Sequence, residues 1–214
     1  NDKEIIFFLD HQFFQIDESM VWQPISIETF KSENNDIKLY IDSSHFNLIP
    51  DEIFDQLSED QKEIFLTPNP KDFQFFNTPI PQLSGKLFWC EKKIIVETIY
   101  DKIPGCNLNH FISPILTNKL SQNQLKYFLN KDFIYLVCIK ERQIKIANRF
   151  VIKDTDDALY FILSLIKESN LINTNFNFEC HGESNKQIIK KLKKIFPNNK
   201  FIIHPQSDLK SIFN

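Results

Sequence analysis

Three glycines in 214 residues, Gly85, Gly105 and Gly182, constrain this chain more than any other feature. Glycine lets backbone approach a phosphate closely and adopt positive φ without strain. No two of the three are neighbours, so the chain holds no Walker loop, no dinucleotide fingerprint and no glycine-lined hairpin. Nucleotide chemistry of the common loop-based kinds is thereby set aside.

A hydrophobic content of 42% supplies core for one large domain or two small ones. The balance of 25 basic and 28 acidic residues leaves a net charge of -3. No global field then steers the chain to nucleic acid or to an anionic membrane. Cys90, Cys106, Cys138 and Cys180 form no C-x-x-C pair and sit mostly in apolar stretches, so they read as reduced, structural thiols. The longest apolar run, Phe133 to Ile139, falls far short of the roughly 20 residues that cross a bilayer. No charged and apolar leader opens the sequence at Asn1, and the expected location is the cytoplasm.

Periodicity gives a plan that occurs twice. Ile5 to Leu9 and Phe13 to Ile16 flank Asp10, His11 and Gln12 as a hairpin, and Val21 to Ile27, with Pro24 inside, adds an edge strand. After a turn over Ser32 to Asp36, Ile37 to Ile41 alternates as a half-buried strand. Pro50, Asp51 and Glu52 open a short helix to about Leu57, while four prolines in Thr67 to Pro81 predict an irregular connection. Lys86 to Cys90 reads as a strand, and Lys92 to Lys102 as a helix with Ile94, Ile95, Thr98 and Ile99 on one face. Leu108 to Ile112 returns as a strand, and Pro114 opens another helical stretch.

The opening pattern then recurs. Phe133 to Ile139 and Ile144 to Ala147 flank Lys140, Glu141 and Arg142, and Phe150 to Ile152 is a third strand. Asp154 caps a helix carrying Ala158, Leu159, Phe161, Ile162, Leu165 and Ile166. A strand at Phe176 and Phe178 follows, then a capping box, Ser184 with Gln187, for a helix carrying Ile188, Ile189, Leu192 and Ile195. Phe201 to Ile203 ends the unit.

Strand, strand, strand, helix, strand, helix, strand is the order of ribonuclease-H-like units. The segments IKLYIDSSHFNLIPDEIFD, GKLFWCEKKIIVETIYDKIPGCNLNHFISPIL and FECHGESNKQIIKKL, with the two hairpins, resemble a bacterial domain-of-unknown-function family of the Bacteroidetes. Its members are similar to actin-like pilus-assembly and secretion-platform proteins. The resemblance implies an α/β (α+β) chain of two tandem ribonuclease-H-like subdomains, residues 1–125 and 126–214, forming an actin-like ATPase fold.

Nucleotide-binding members of that class carry, in each half's first hairpin, an Asp followed by glycines whose N–H groups hold phosphate. Here the first hairpin offers Asp10-His11-Gln12 and the second Cys138-Ile139-Lys140-Glu141, with no glycine in either. Their adenosine loop, Gly-Gly-x-Ser, has as counterpart His181-Gly182-Glu183-Ser184, which keeps one Gly and the Ser. Asp10, Gly182 and Ser184 are therefore the cofactor-binding candidates if a nucleotide binds at all. Against that, Asp10 suits a tight turn, and Gly with a capping Ser suits any strand-to-helix junction.

Other constellations carry less. Lys186, Lys190, Lys191, Lys193, Lys194 and Lys200 lack interleaved arginines or stacking aromatics, so they read as a solvated helix face rather than a nucleic-acid site. His110, His181 and His204 with Cys106 and Cys180 show no metal-ligand spacing, and no metal site is expected. Ser43, Ser44 and His45 lie in no nucleophile elbow. The expectation is a non-catalytic interaction or scaffold module with a protein partner, no cofactor and degenerate nucleotide loops. The alternative is a divergent ATP-binding or ATP-hydrolysing member.

Overall fold

Five of the six residues of β1 (Glu4–Leu9) are buried, which marks a central strand with both faces shielded. It pairs antiparallel with β2 (Gln12–Ile16), which pairs with β3 (Trp22–Ile25), and parallel with β4 (Ile37–Ile41). Pro24, opposite Phe14, sits on the edge strand β3, where its missing N–H breaks no ladder. The computed structural model describes residues 4–16, 22–28, 30, 37–117, 121–182, 186–204 and 213. The turn expected over Ser32 to Asp36 lies outside them.

Beyond β4 the chain builds β5 (Phe46–Pro50), α1 (Asp51–Phe54), α2 (Glu59–Leu66), β6 (Phe73–Ile80), β7 (Gly85–Lys92) and α3 (Lys93–Lys102). β5, β7 and β6, in that order, form a small antiparallel sheet. Its apolar centre is Ile49, Phe54 and Phe88, with the ammonium groups of Lys62 and Lys86 each 4.2 Å from the Phe54 ring centroid. β8 (Asn107–His110) then pairs parallel with β4 and completes the first sheet, β3-β2-β1-β4-β8. A short helix, α4 (Ser113–Thr117), follows.

Three expectations for this region are corrected. The helix from Pro50 stops at Phe54, and a separate α2 follows, started by a capping box in which Ser58 Oγ accepts from Gln61 N–H while Gln61 Oε1 accepts from Ser58 N–H. Most of residues 67–81 is regular: Pro70 and Pro81 open 3-10 turns, and Pro79 lies on the edge strand β6, so these three prolines fall where no N–H is needed. The buried face of α3 holds Val96 and Ile99, while Ile94 is 67% exposed.

The second sheet comprises β9 (Asn123–Leu129), β10 (Phe133–Lys140), β11 (Gln143–Val151), β12 (Asn177–Gly182) and β13 (Lys200–Ile203), ordered β11-β10-β9-β12-β13. Its pairings, antiparallel on one side of β9 and parallel on the other, match those around β1. The expected three strands before the helix exist, but not as expected. Residues 143–151 form one strand rather than two, and the missing strand is β9. A bulge between Cys138 and Ile139 disturbs the alternation of β11, and Arg149 is tolerated on this edge strand with its guanidinium 4.5 Å from the Phe133 ring centroid.

α5 (Thr155–Glu168) and α6 (Lys186–Ile195) cover one face of this sheet. The Asp154 carboxylate caps α5, accepting from Asp156 and Asp157 N–H. Ala158, Ile162, Leu165, Ile166, Ile188 and Leu192 pack against Leu125, Tyr127, Phe178 and Cys180. Ile195, expected on the buried face, is 49% exposed. Lys191 pairs with Asp156 and Lys193 lies over the Phe201 ring, so both have partners within the protein. The capping box at Ser184 lies outside the described residues.

By compactness the chain divides into two units, Asn1–Pro114 with Phe213–Asn214, and Ile115–Ile212. All four cysteines are free and buried. Among the described residues, no helix is long and apolar enough to cross a membrane.

Candidate functional site

Leu9 pairs with Gln12, so the first hairpin turns on two residues, Asp10 and His11. The second turns on Glu141 and Arg142, between paired Lys140 and Gln143. All four turn residues have positive φ, 46° and 61° in the first and 56° and 63° in the second. Two-residue turns with both φ positive follow the twist of the strands and are the tightest hairpins available. Both expected loops are one residue shorter than the sequence suggested, because Gln12 and Lys140 belong to strands.

A phosphate cradle needs several successive N–H groups that converge on a ligand. In the second hairpin those groups are already engaged. Glu141 N–H donates to Asn123 Oδ1 at 3.0 Å, and Arg142 N–H donates to Gln122 O at 2.9 Å. Asp10 is exposed at the turn of the first hairpin.

Gly182 ends β12 opposite Leu129. Its φ is +84°, and a Cβ there would stand 2.2 Å from Leu129 O. Close packing of β12 on β9 alone therefore accounts for this glycine. Ser184, its partner in the proposed adenosine loop, lies outside the described residues.

Ser43 and His110 meet, but not as nucleophile and base. Ser43 Oγ donates to Cys90 O at 2.6 Å, and the carbonyl of Ser43, not its hydroxyl, lies 2.9 Å from His110 Nε2. Ile112 N–H donates to His110 Nδ1, which fixes the neutral Nε2–H tautomer. Ser44 Oγ lies 3.3 Å from His45 Nδ1, both near the surface.

The second unit contains a polar group that sequence spacing did not reveal. β9 turns Leu125, Tyr127 and Leu129 toward the helices, and Gln124 and Lys126 toward the opposite face. β12 does the same with Phe178 and Cys180 against Glu179 and His181. Gln124, Lys126, Glu179 and His181 are all buried. The Gln124 amide donates to Glu179 Oε2, with Lys126 Nζ 3.6 Å from the same oxygen. Glu179 Oε1 faces His181 Nε2 at 2.9 Å and His204 Nε2 at 3.2 Å.

Burial alone would raise the Glu179 carboxyl, but the His181 hydrogen bond and the charges of Lys126 and the histidines outweigh it and hold it below the usual carboxylate range. Burial lowers Lys126 and His181, with Glu179 opposing both shifts. Of the residues weighed earlier for a metal, the structure joins only His181 and His204, and adds Glu179. Cys180 faces the apolar core, and Cys106 and His110 belong to the other unit. Glu179 and His181, two apart on a strand, were the available signal.

The chain matches the family model described as protein of unknown function (DUF3822) over residues 15–202. No curated protein matches it. A Bacteroides thetaiotaomicron protein with actin-like ATPase fold and unknown function is similar over 99% of this chain and 95% of its own, at 15% identity and a TM-score of 0.73. The PilM-PilN type IV pilus biogenesis complex matches over 91% and 85% at 7% identity and a TM-score of 0.60. The cytoplasmic domain of EpsL, an inner-membrane component of the Vibrio cholerae type II secretion system, matches over 99% and 95% at 10% identity and 0.51. At these identities the likeness shows the fold, two tandem ribonuclease-H-like subdomains of the actin-like ATPase class. The chain belongs to the DUF3822 family of proteins of unknown function.

Proposed function

We propose that this protein is a non-catalytic actin-like module that binds a protein partner in the cytoplasm, its nucleotide loops reduced to structural turns. The observation that carries this reading is the second hairpin. Its turn N–H groups, which would face a phosphate, donate instead to Asn123 Oδ1 and Gln122 O. The two-residue turn at Asp10 and His11 and the packing of Gly182 on Leu129 point the same way. A partner-binding role is supported by fold neighbours that belong to a pilus biogenesis complex and to a secretion system.

Calorimetry and thermal shift with Mg-ATP test the reading. No saturable heat and no change in melting temperature are expected. Saturable binding that Asp10→Ala abolishes would overturn it in favour of a divergent ATP-binding protein.

A further inference from the structure

Glu179, His181 and His204 bring one carboxylate oxygen and two imidazole nitrogens within 4.8 Å of one another. Three features of the fold hold them there. Glu179 and His181 share a face of β12 because they are two residues apart on a strand. His204 follows β13 directly, and its N–H donates to Cys180 O at 2.9 Å, which extends the parallel ladder and sets its ring beside that of His181. The two oxygens of Glu179 have separate surroundings: Oε2 is held by Gln124 and Lys126, while Oε1 faces both imidazoles.

We propose that Glu179, His181 and His204 form a binding site for a nitrogen-preferring divalent ion of the zinc class, independent of any nucleotide. Donors that share such an ion through bonds of about 2.0–2.2 Å stand roughly 3–3.5 Å apart; the 3.2 Å approach of His204 falls at that spacing and the 2.9 Å approach of His181 lies just inside it. Two imidazoles and one carboxylate are a known zinc donor set with an open position for water. Gln124 and Lys126 then act as the groups that orient the ligating carboxylate.

The surroundings also select among ions. Mg²⁺ and Ca²⁺ require mostly oxygen ligands, and one carboxylate beside a lysine ammonium offers them little. Zinc-class ions take imidazole readily. The rings of His181 and His204 lie parallel, 4° apart with centroids at 4.4 Å, and lone pairs in parallel planes do not meet at one point. Binding therefore requires one ring to turn, and His204, the more exposed of the two at the strand exit, is the one with room.

The test is titration of the untagged, chelator-stripped full chain with ZnCl2, with MgCl2 as control, read by calorimetry and thermal shift. One equivalent of Zn²⁺ should bind and raise the melting temperature, Mg²⁺ should do neither, and His204→Ala should weaken Zn²⁺ at least about tenfold. Absence of stoichiometric Zn²⁺ binding, or binding that His204→Ala leaves unchanged, overturns the proposal. Should His204→Ala fail to fold, imidazole nitrogen NMR of the wild-type chain decides: Zn²⁺ must shift the ring nitrogens of two histidines, and unshifted signals overturn it.

Discussion

The hydroxyl of Tyr40 donates to the backbone carbonyl of Phe213 at 2.8 Å, joining residues 173 positions apart. Phe213 is almost fully buried, its ring 5.0 Å from that of Phe7, 4.8 Å from Tyr40 and 5.1 Å from Phe111. Phe213 thus completes the aromatic core of the first unit. Phe213→Ala should destabilise by about 3 kcal/mol through the cavity it leaves, and Tyr40→Phe by about 1 kcal/mol through the unpaired carbonyl. Urea denaturation of the two variants checks both figures.

Burial pushes the Tyr40 hydroxyl up to about 12. A folded-state value raised above that of the unfolded chain means that the contribution is complete below pH 10 and lost as pH rises from there toward 12. Denaturation midpoints measured from pH 9 upward should fall, and the part of that slope due to Tyr40 should vanish in Tyr40→Phe.

Both hairpins place ordinary side chains in left-handed backbone. Replacing Glu141 and Arg142 by Asn and Gly should stabilise the chain by roughly 1 kcal/mol, since Asn-Gly suits a turn of this type. Neither backbone donor would be lost. An unchanged or lowered denaturation midpoint would contradict the turn geometry.

Two glycines with similar φ should respond differently to alanine. At Gly105, φ is +76° and a Cβ meets nothing within 4 Å, so the cost is that of left-handed backbone, about 1 kcal/mol. At Gly182 the same strain is joined by a collision with the Leu129 carbonyl. Gly182→Ala should cost at least about 3 kcal/mol. Parallel thermal melts of the two variants distinguish the cases.

Burial raises the thiols of Cys90 and Cys106 to about 12 and about 11. At pH 8 both stay protonated and shielded. Reaction with Ellman's reagent should follow the rate of unfolding across a denaturant series, and a fast phase from either thiol in the native protein would refute this.

What could be read from the sequence was local. The cap at Asp154, the strand at Ile37 to Ile41, the edge position of Pro24 and the two hairpins follow from turn chemistry, capping and periodicity within a few residues. β6 was obscured because proline excludes interior strands but not edge strands, and sequence alone does not say which a strand will be. β9 was obscured for a related reason. Gln124 and Lys126 make it look solvated, yet both are buried because Glu179, 55 and 53 residues away, supplies their partner.

The sequence by itself determined that no glycine-built phosphate loop exists in this protein, since that depends only on which residues lack a Cβ. Tertiary structure alone decided which groups meet across the sheets. Asn123 and Gln122 meet the N–H groups of the second hairpin because β9 pairs with β10. Glu179, His181 and His204 converge because β12 and β13 run parallel in one register. Pairing between strands is set by burial summed over a whole sheet, and no local spacing in the chain encodes it.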